Sequence, residues 1–118
     1  MFEKMMEISM LFDFYGQLLT QKQKTILQLY YEDDLTLAEI AENLGISRQA
    51  VHDASRKAEK ALHEYERTLG LVRKFQDTEA AVRQVNECIE QALHEHENDE
   101  ALKNELIKIK SIMESIGD

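Results

Sequence analysis

The sequence predicts an all-α fold, and three observations lead to that prediction. Proline, which interrupts helices, is absent from the 118 residues, and glycine occurs only four times. Apolar residues recur at spacings of three and four along most of the chain, which is the period of one face of a helix. Short polar residues with helix-capping spacing precede several of the apolar runs. We therefore expect a helical domain in residues 1–70 and an amphipathic helical hairpin in residues 71–118.

The first two helices are predicted from their apolar faces. A helix over residues 3–16 has an apolar stripe of Ile8, Leu11, Phe12, Tyr15 and then Leu18 or Leu19. Met5, Met6 and Met10 lie on or near this face and are expected to pack in the core. Thr20 forms a capping box with Gln23 and starts a second helix that ends near Glu32. Its predicted buried face consists of Ile26, Leu27, Leu29 and Tyr30.

The stretch Leu37–Arg56 has the pattern of two short helices that meet across a tight turn. Thr36 and Glu39 form a capping box at the start of the first helix. Gly45 stands where that helix should end, since a left-handed backbone costs glycine least. Ser47 is placed as the N-cap of the next helix. Caps, glycine and apolar positions together predict a helix-turn-helix unit.

The outward face of the second helix of this unit carries side chains that can bind nucleic acid. The candidate binding residues are Ser47, Arg48, Gln49, His52, Arg56, Lys57 and Lys60. Ser47 caps the helix, the next four residue types can contact base edges and phosphates, and the two lysines add charge. Asp53 lies on the same face. This small basic island belongs to a chain with a net charge of -9, which argues against strong autonomous DNA binding.

The recognition helix is predicted to continue for five to six turns, until Gly70. Two more amphipathic helices follow, separated by the pair Asn98-Asp99, which has loop and N-cap character. They suggest an antiparallel hairpin that packs either against a partner subunit or against the long helix. Residues 71–118 contain six lysines and arginines against eleven carboxylates. We expect this hairpin to hold two subunits together as a homodimer.

Enzymatic activity is the least supported class of function. The sequence contains no glycine-rich phosphate loop and no G-x-S-x-G motif, and its carboxylates belong to ordinary charged helix faces or to the loop at Asp33 and Asp34. The histidines and the single Cys88 have no metal-ligand spacing, so we expect neither a metal nor a cofactor, and Cys88 should be a small apolar filler. Without an apolar run of membrane length or a secretory leader, a cytoplasmic protein without a membrane partner is expected.

The motif and its continuation resemble the region-4 domain of bacterial sigma factors. A closer resemblance, over roughly residues 5–66, is to the YlxM-type family of small bacterial helix-turn-helix proteins. The stretches that carry it read LFDFYGQLLTQKQ, LQLYYEDDLTLAEIAENLGISRQAVHD and KAEKALHEYE. The sequence departs from sigma factors at Ala50 and His52, where their recognition helix carries arginines. It therefore lacks a guanine-reading arginine at position 50.

The resemblance implies a sigma-like fold and a part in the signal recognition particle pathway, whose components are Ffh and FtsY. The first hypothesis is a DNA-binding regulatory protein that takes part in this pathway, with DNA or the particle's RNA as its nucleic-acid partner and no small-molecule substrate. The alternative is an accessory factor that binds Ffh or the RNA–protein complex without reading DNA. In that case the helix-turn-helix is a scaffold, and the acidic hairpin docks a basic partner.

Overall fold

The computed structural model describes residues 2–116, with side chains from Glu3 onward. It is all-α, as predicted, and no strand occurs within that range. The helices are α1 (Phe2–Tyr15), α2 (Gln21–Leu27), α3 (Leu37–Leu44), α4 (Arg48–Leu69), α5 (Leu71–Glu95) and α6 (Glu100–Ile116). A 3₁₀ turn, Gly16–Leu18, follows α1, and a π-helical turn, Gln28–Glu32, extends α2.

The predicted start and stop signals are present as hydrogen bonds. The Gln23 amide donates to Thr20 Oγ1 at 3.2 Å, and the Thr20 amide donates to Gln23 Oε1 at 3.1 Å. The same reciprocal pair joins Thr36 and Glu39, at 3.1 and 3.0 Å. Gly45 ends α3 with a left-handed φ of 68°. Both capping boxes and the glycine turn are therefore confirmed.

Helix α4 organises the first part of the chain because it packs against α1, α2 and α3. One buried cluster, at the α1 side, consists of Ile8, Leu11, Tyr15, Leu19, Leu27, Ala58, Leu62 and Val72. A second cluster, at the α3 side, consists of Ile26, Ile40, Ala41 and Val51. Val51 belongs to one cluster and Ala58 and Leu62 to the other, so a single helix joins both. Its 22 residues confirm the predicted length of about six turns.

Tyr30 does not lie on the buried face of the second helix as predicted. Its side chain is 38% exposed, and Tyr31 packs against the α1-side cluster instead. The physical reason is the π-helical turn, in which the Asp33 amide donates to the carbonyl of Gln28, five residues back, at 3.2 Å. The extra residue in this turn rotates the following side chains relative to an α-helix. A prediction that assumes the α-helical period of 3.6 residues therefore assigns these side chains to the wrong face.

The methionines of α1 do not all pack in the core. Met10 contacts the α1-side cluster, but Met5 and Met6 are exposed. They lie in the first turns of α1, before the point where its apolar stripe reaches the buried cluster. Of the two alternatives at the end of that stripe, Leu19 is buried and Leu18 is exposed. The apolar stripe of α1 thus ends at Leu19, the residue after the 3₁₀ turn.

The junction between α4 and α5 is fixed by a small hydrogen-bond network. Gly70 ends α4 in a left-handed conformation with φ of 61°. Tyr15 donates its hydroxyl proton to Glu66 Oε1 at 2.6 Å and accepts the Leu71 amide at 3.0 Å. The Val72 amide donates to the same Glu66 oxygen at 3.0 Å. These bonds satisfy two of the amides at the start of α5 that have no partner within the helix.

Residues 73–116 belong to a second compact unit. Asp99 caps α6 by accepting the Leu102 amide at 3.1 Å, as its predicted N-cap character requires. Lys110 and Glu90 form an ion pair between α6 and α5. Ile89 is the one apolar side chain that is buried among the described residues of this unit. Cys88 is exposed, so its predicted role as an apolar filler is wrong.

Candidate nucleic-acid interface

The exposed surface of α4 divides into two neighbouring stripes. Arg48, His52 and Arg56 are spaced by four residues, so they share one side of the helix. This cleft stripe borders the buried face. The outer stripe lies beside it, farther from the core, and consists of Gln49, Asp53, Lys57 and Lys60. The sequence-predicted site is thus brought together on one helix, across two adjoining stripes.

The recognition helix starts at Ser47, whose hydroxyl oxygen accepts the Ala50 amide at 3.0 Å. This bond confirms the predicted N-cap and fixes the first turn of α4. The hydroxyl oxygen of Ser47 is therefore engaged in holding the helix start. Arg48 follows immediately and is exposed.

The outer stripe contains an internal hydrogen bond. Gln49 Nε2 donates to Asp53 Oδ1 at 2.9 Å, and His52 Nδ1 lies 3.8 Å from the same oxygen. The Asp53 carboxylate therefore organises its neighbours and adds a negative charge to the middle of the predicted binding face. Lys57 and Lys60 are exposed on the same stripe. This surface can present two ammonium groups and one amide side chain to a phosphate backbone.

The cleft stripe carries two uncommitted guanidinium groups. Arg48 and Arg56 are exposed, and within residues 2–116 neither forms a hydrogen bond or an ion pair. A planar guanidinium with five free donors can bind a phosphate in a bidentate manner. Eight residues of helix separate the two arginines by roughly 12 Å along the axis. They can therefore contact different groups of one extended ligand.

Both arginines line a cleft that the sequence did not predict. One lobe, of about 570 Å³, includes Lys4, Tyr30, Leu37 and Arg48 in its lining. The neighbouring lobe, of about 400 Å³, shares the first three of these residues and adds Arg56. We call these two lobes together the tyrosine cleft. Its lining residues come from α1, the π-helical turn, the loop before α3, α3 and α4, so no local sequence pattern could have assembled it.

Glu59 belongs to the tyrosine cleft and not to the outer surface of α4. Its carboxylate accepts the hydroxyl proton of Tyr31 and lies 4.0 Å from Lys4 Nζ. The side chain is only 17% exposed. Burial and the hydrogen bond to Glu59 raise the pKa of the Tyr31 hydroxyl above its ordinary value. Glu59 therefore leaves the outward face of the recognition helix open.

Comparison with known proteins identifies the family. The family model described as "Putative helix-turn-helix protein, YlxM / p13 like", UPF0122, matches residues 2–108. The chain belongs to this family. A UPF0122 protein of Bacillus cereus strain AH187 is 47% identical over 100 residues, which is 85% of this chain and 89% of the relative. UPF0122 proteins of Bacillus anthracis strain A0248 and Bacillus thuringiensis subsp. konkukian strain 97-27 match with the same identity and coverage.

Membership confirms the resemblance to the YlxM-type family and the helix-turn-helix fold. The match extends through α5 into α6, well beyond residues 5–66, which carry the resemblance to this family. Within the described part of the chain, no helix is long and apolar enough to cross a membrane, and no group of histidine, cysteine and carboxylate side chains could hold a metal ion.

Proposed function

We propose that this UPF0122 protein is a DNA-binding regulatory protein that binds through the exposed side of α4. The observation that carries the proposal is the pair of exposed guanidinium groups, Arg48 and Arg56, which have no acidic partner within residues 2–116. They lie on a well-capped recognition helix beside Lys57 and Lys60. Membership of a helix-turn-helix family supports the same conclusion.

We further propose that this activity belongs to the signal recognition particle pathway in the cytoplasm, and the YlxM-type resemblance supports this proposal. The nucleic-acid partner is DNA or the RNA of the particle, and the protein acts by binding and not by catalysis. A net charge of -9 makes long-range attraction of a polyanion weak. A homodimer compensates for this weakness, because two recognition helices held at a fixed spacing bind as one bivalent unit.

A second candidate function is that of an accessory factor that binds Ffh or the RNA–protein complex without reading DNA. The observations in its favour are four half-exposed isoleucines on α6 and the acidic balance of residues 71–118, which contain eleven carboxylates against six lysines and arginines. The isoleucines are Ile107, Ile109, Ile112 and Ile116. An exposed apolar stripe on an acidic unit suits a basic protein partner.

The test is the double variant Arg48→Ala/Arg56→Ala, measured against duplex DNA, signal recognition particle RNA and Ffh at several stated salt concentrations. Duplex affinity should fall on the order of 10- to 100-fold, because two charge-assisted contacts are removed. The slope of log affinity against log salt should become shallower by about 2, one for each lost phosphate contact.

The matched control is Lys22→Ala/Lys108→Ala, which removes the same charge from exposed positions on α2 and α6. It should change duplex affinity far less than the arginine pair does. If the parent protein binds Ffh but no nucleic acid at any salt concentration, the DNA-binding proposal is wrong and the accessory-factor function stands. If the two double variants weaken DNA binding equally, α4 is not the interface.

A further inference from the structure

The tyrosine cleft combines an apolar floor with a basic rim. Leu35, Leu37 and Met5 supply apolar surface, and the rings of Tyr30 and Tyr31 meet edge to face, with centroids 4.9 Å apart. The basic groups are Lys4, Arg48 and Arg56. The volumes of its two lobes, about 570 and 400 Å³, lie within the usual range of ligand pockets, roughly 300–1,000 Å³.

The charges of the cleft favour an anion. Its two carboxylates are Asp34 and Glu59, and Glu59 is already engaged with Tyr31 and Lys4. Asp34 shares its lobe with Lys4 and Arg48, so the cations outnumber it there. In the other lobe, Arg56 has no partner within residues 2–116. A ligand with at least one phosphate therefore finds guanidinium donors at this rim.

The aromatic part of the cleft is maintained by an irregular turn. The π-helical turn Gln28–Glu32 exposes Tyr30, whereas a regular helix would bury it. Tyr31 is anchored from below by its hydrogen bond to Glu59. Turns of this kind occur frequently at functional sites. An exposed tyrosine beside an anchored one provides a stacking surface for a flat ring, and nucleobases stack on such rings regardless of sequence.

From this combination we propose that the tyrosine cleft binds one unpaired nucleotide of a single-stranded nucleic acid. The base lies on Tyr30 above the apolar floor, and the flanking phosphates contact Arg48 and Arg56. This inference rests on the proposed nucleic-acid function and deepens it, because it assigns the cleft stripe of α4 a second ligand. Arg48 and Arg56 contact the backbone of a duplex together with Lys57 and Lys60 of the outer stripe, and they contact the phosphates of an unstacked nucleotide when a single strand is bound.

The experiment compares the affinities of the full chain for a short oligothymidylate, an oligouridylate of equal length and a blunt duplex of mixed sequence. Tyr30→Ala should lower the ratio of single-strand to duplex affinity by about fivefold or more, because it removes a stacking ring. Tyr30→Phe keeps the ring and should preserve the ratio. Lys57→Ala/Lys60→Ala should raise the ratio, since it weakens the duplex surface.

The two oligonucleotides distinguish a DNA strand from an RNA strand as the source of the nucleotide. Competition separates base from phosphate recognition, since thymidine 5′-monophosphate should displace the bound strand at concentrations where inorganic phosphate does not. Equal displacement by the two, or an unchanged ratio in Tyr30→Ala, overturns the inference. So does duplex binding that depends on Arg48 and Arg56 without any single-strand binding, and that outcome leaves the proposed function intact.

Discussion

The two units of the chain have similar hydrophobic patterns but different interiors. In the first unit, α1 to α4 bury two clusters of side chains, and Ile26, Ile40, Val51 and Leu62 are completely inaccessible to solvent. In the second unit, α6 has no buried residue, and Ile89 is the single buried apolar side chain among those described. The same periodicity of three and four thus produces a core in one unit and a largely exposed stripe in the other.

The difference shows that amphipathicity predicts a helix but not the surface that covers it. In the first unit, the apolar faces of the helices bury one another, because α4 packs against three other helices. The stripe of α6 retains exposed isoleucines. We infer that a second copy of the chain packs on this stripe. Measurements of subunit association test this explanation of the difference between the two units.

The largest expected effect is on subunit association. Ile109 and Ile107 are both exposed on α6 but point to nearly opposite sides of the helix, and Ile109 belongs to the apolar stripe. In the full chain, Ile109→Glu should convert a dimer to a monomer because it places a charge in the interface. Sedimentation equilibrium measures the change in mass.

Ile107→Glu is the matched control, because it adds the same charge outside the stripe, and it should leave the dimer intact. Circular dichroism checks that both variants remain helical. A chain that ends after Gln76, which keeps the buried Val72, should also be monomeric. A parent chain that sediments as a monomer, or a dimer that survives Ile109→Glu, would refute the assignment of residues 71–118 to dimerisation.

The second effect is on stability. Leu62→Ala removes a fully buried side chain from the α1-side cluster and should lower the free energy of unfolding by about 3 kcal/mol. Ile107→Ala removes a half-exposed side chain and should cost less than about 1 kcal/mol. All four tyrosines belong to the first unit, so tyrosine fluorescence during urea unfolding measures the effect of Leu62→Ala, and far-UV circular dichroism, to which the helices of both units contribute, measures that of Ile107→Ala. Equal shifts for the two variants would mean that the second unit has a comparable core.

Local chemistry explains which parts of the fold are predictable from the sequence. A capping box such as that of Thr36 and Glu39 needs only four neighbouring residues, and Gly45 needs only its own backbone preference. These features, the length of α4 and the helix-turn-helix unit are confirmed. The exposure of Tyr30 was not predictable, because the π-helical turn breaks the period on which the prediction depends.

The candidate site divides in the same way. Arg48 and Arg56 could be assigned to one face of α4 from their spacing alone, since that spacing belongs to any helix. The partners that make a cleft of this face, Lys4 and Tyr30, are distant in sequence and come together only through the packing of α1 and the π-helical turn. The orientation of Glu59 likewise depends on Tyr31, which is 28 residues away. Such juxtapositions require the tertiary structure.

The smallest expected effect is on stability at alkaline pH. It compares the partly buried hydrogen bond of Tyr15 and Glu66 with the exposed ion pair of Lys110 and Glu90. Burial and the hydrogen bond to Glu66 raise the pKa of Tyr15 above its usual value of 10.0. The folded state therefore holds this proton more tightly than the unfolded state, so the stabilisation is complete below pH 10 and is lost as the pH rises above it. The midpoint of urea unfolding, followed by far-UV circular dichroism because ionised tyrosine does not fluoresce, should fall above pH 10.

Tyr15→Phe should lower the stability at neutral pH and make its decline above pH 10 shallower, because the group that releases the proton is gone. In the second unit, the hydrogen bond to Glu90 raises the pKa of Lys110, which has the same sign of effect. That pair is exposed and screened by solvent, so Lys110→Gln should leave the alkaline profile of the first unit unchanged. A profile that Tyr15→Phe does not alter would show that the network at the α4–α5 junction adds no proton-linked stability.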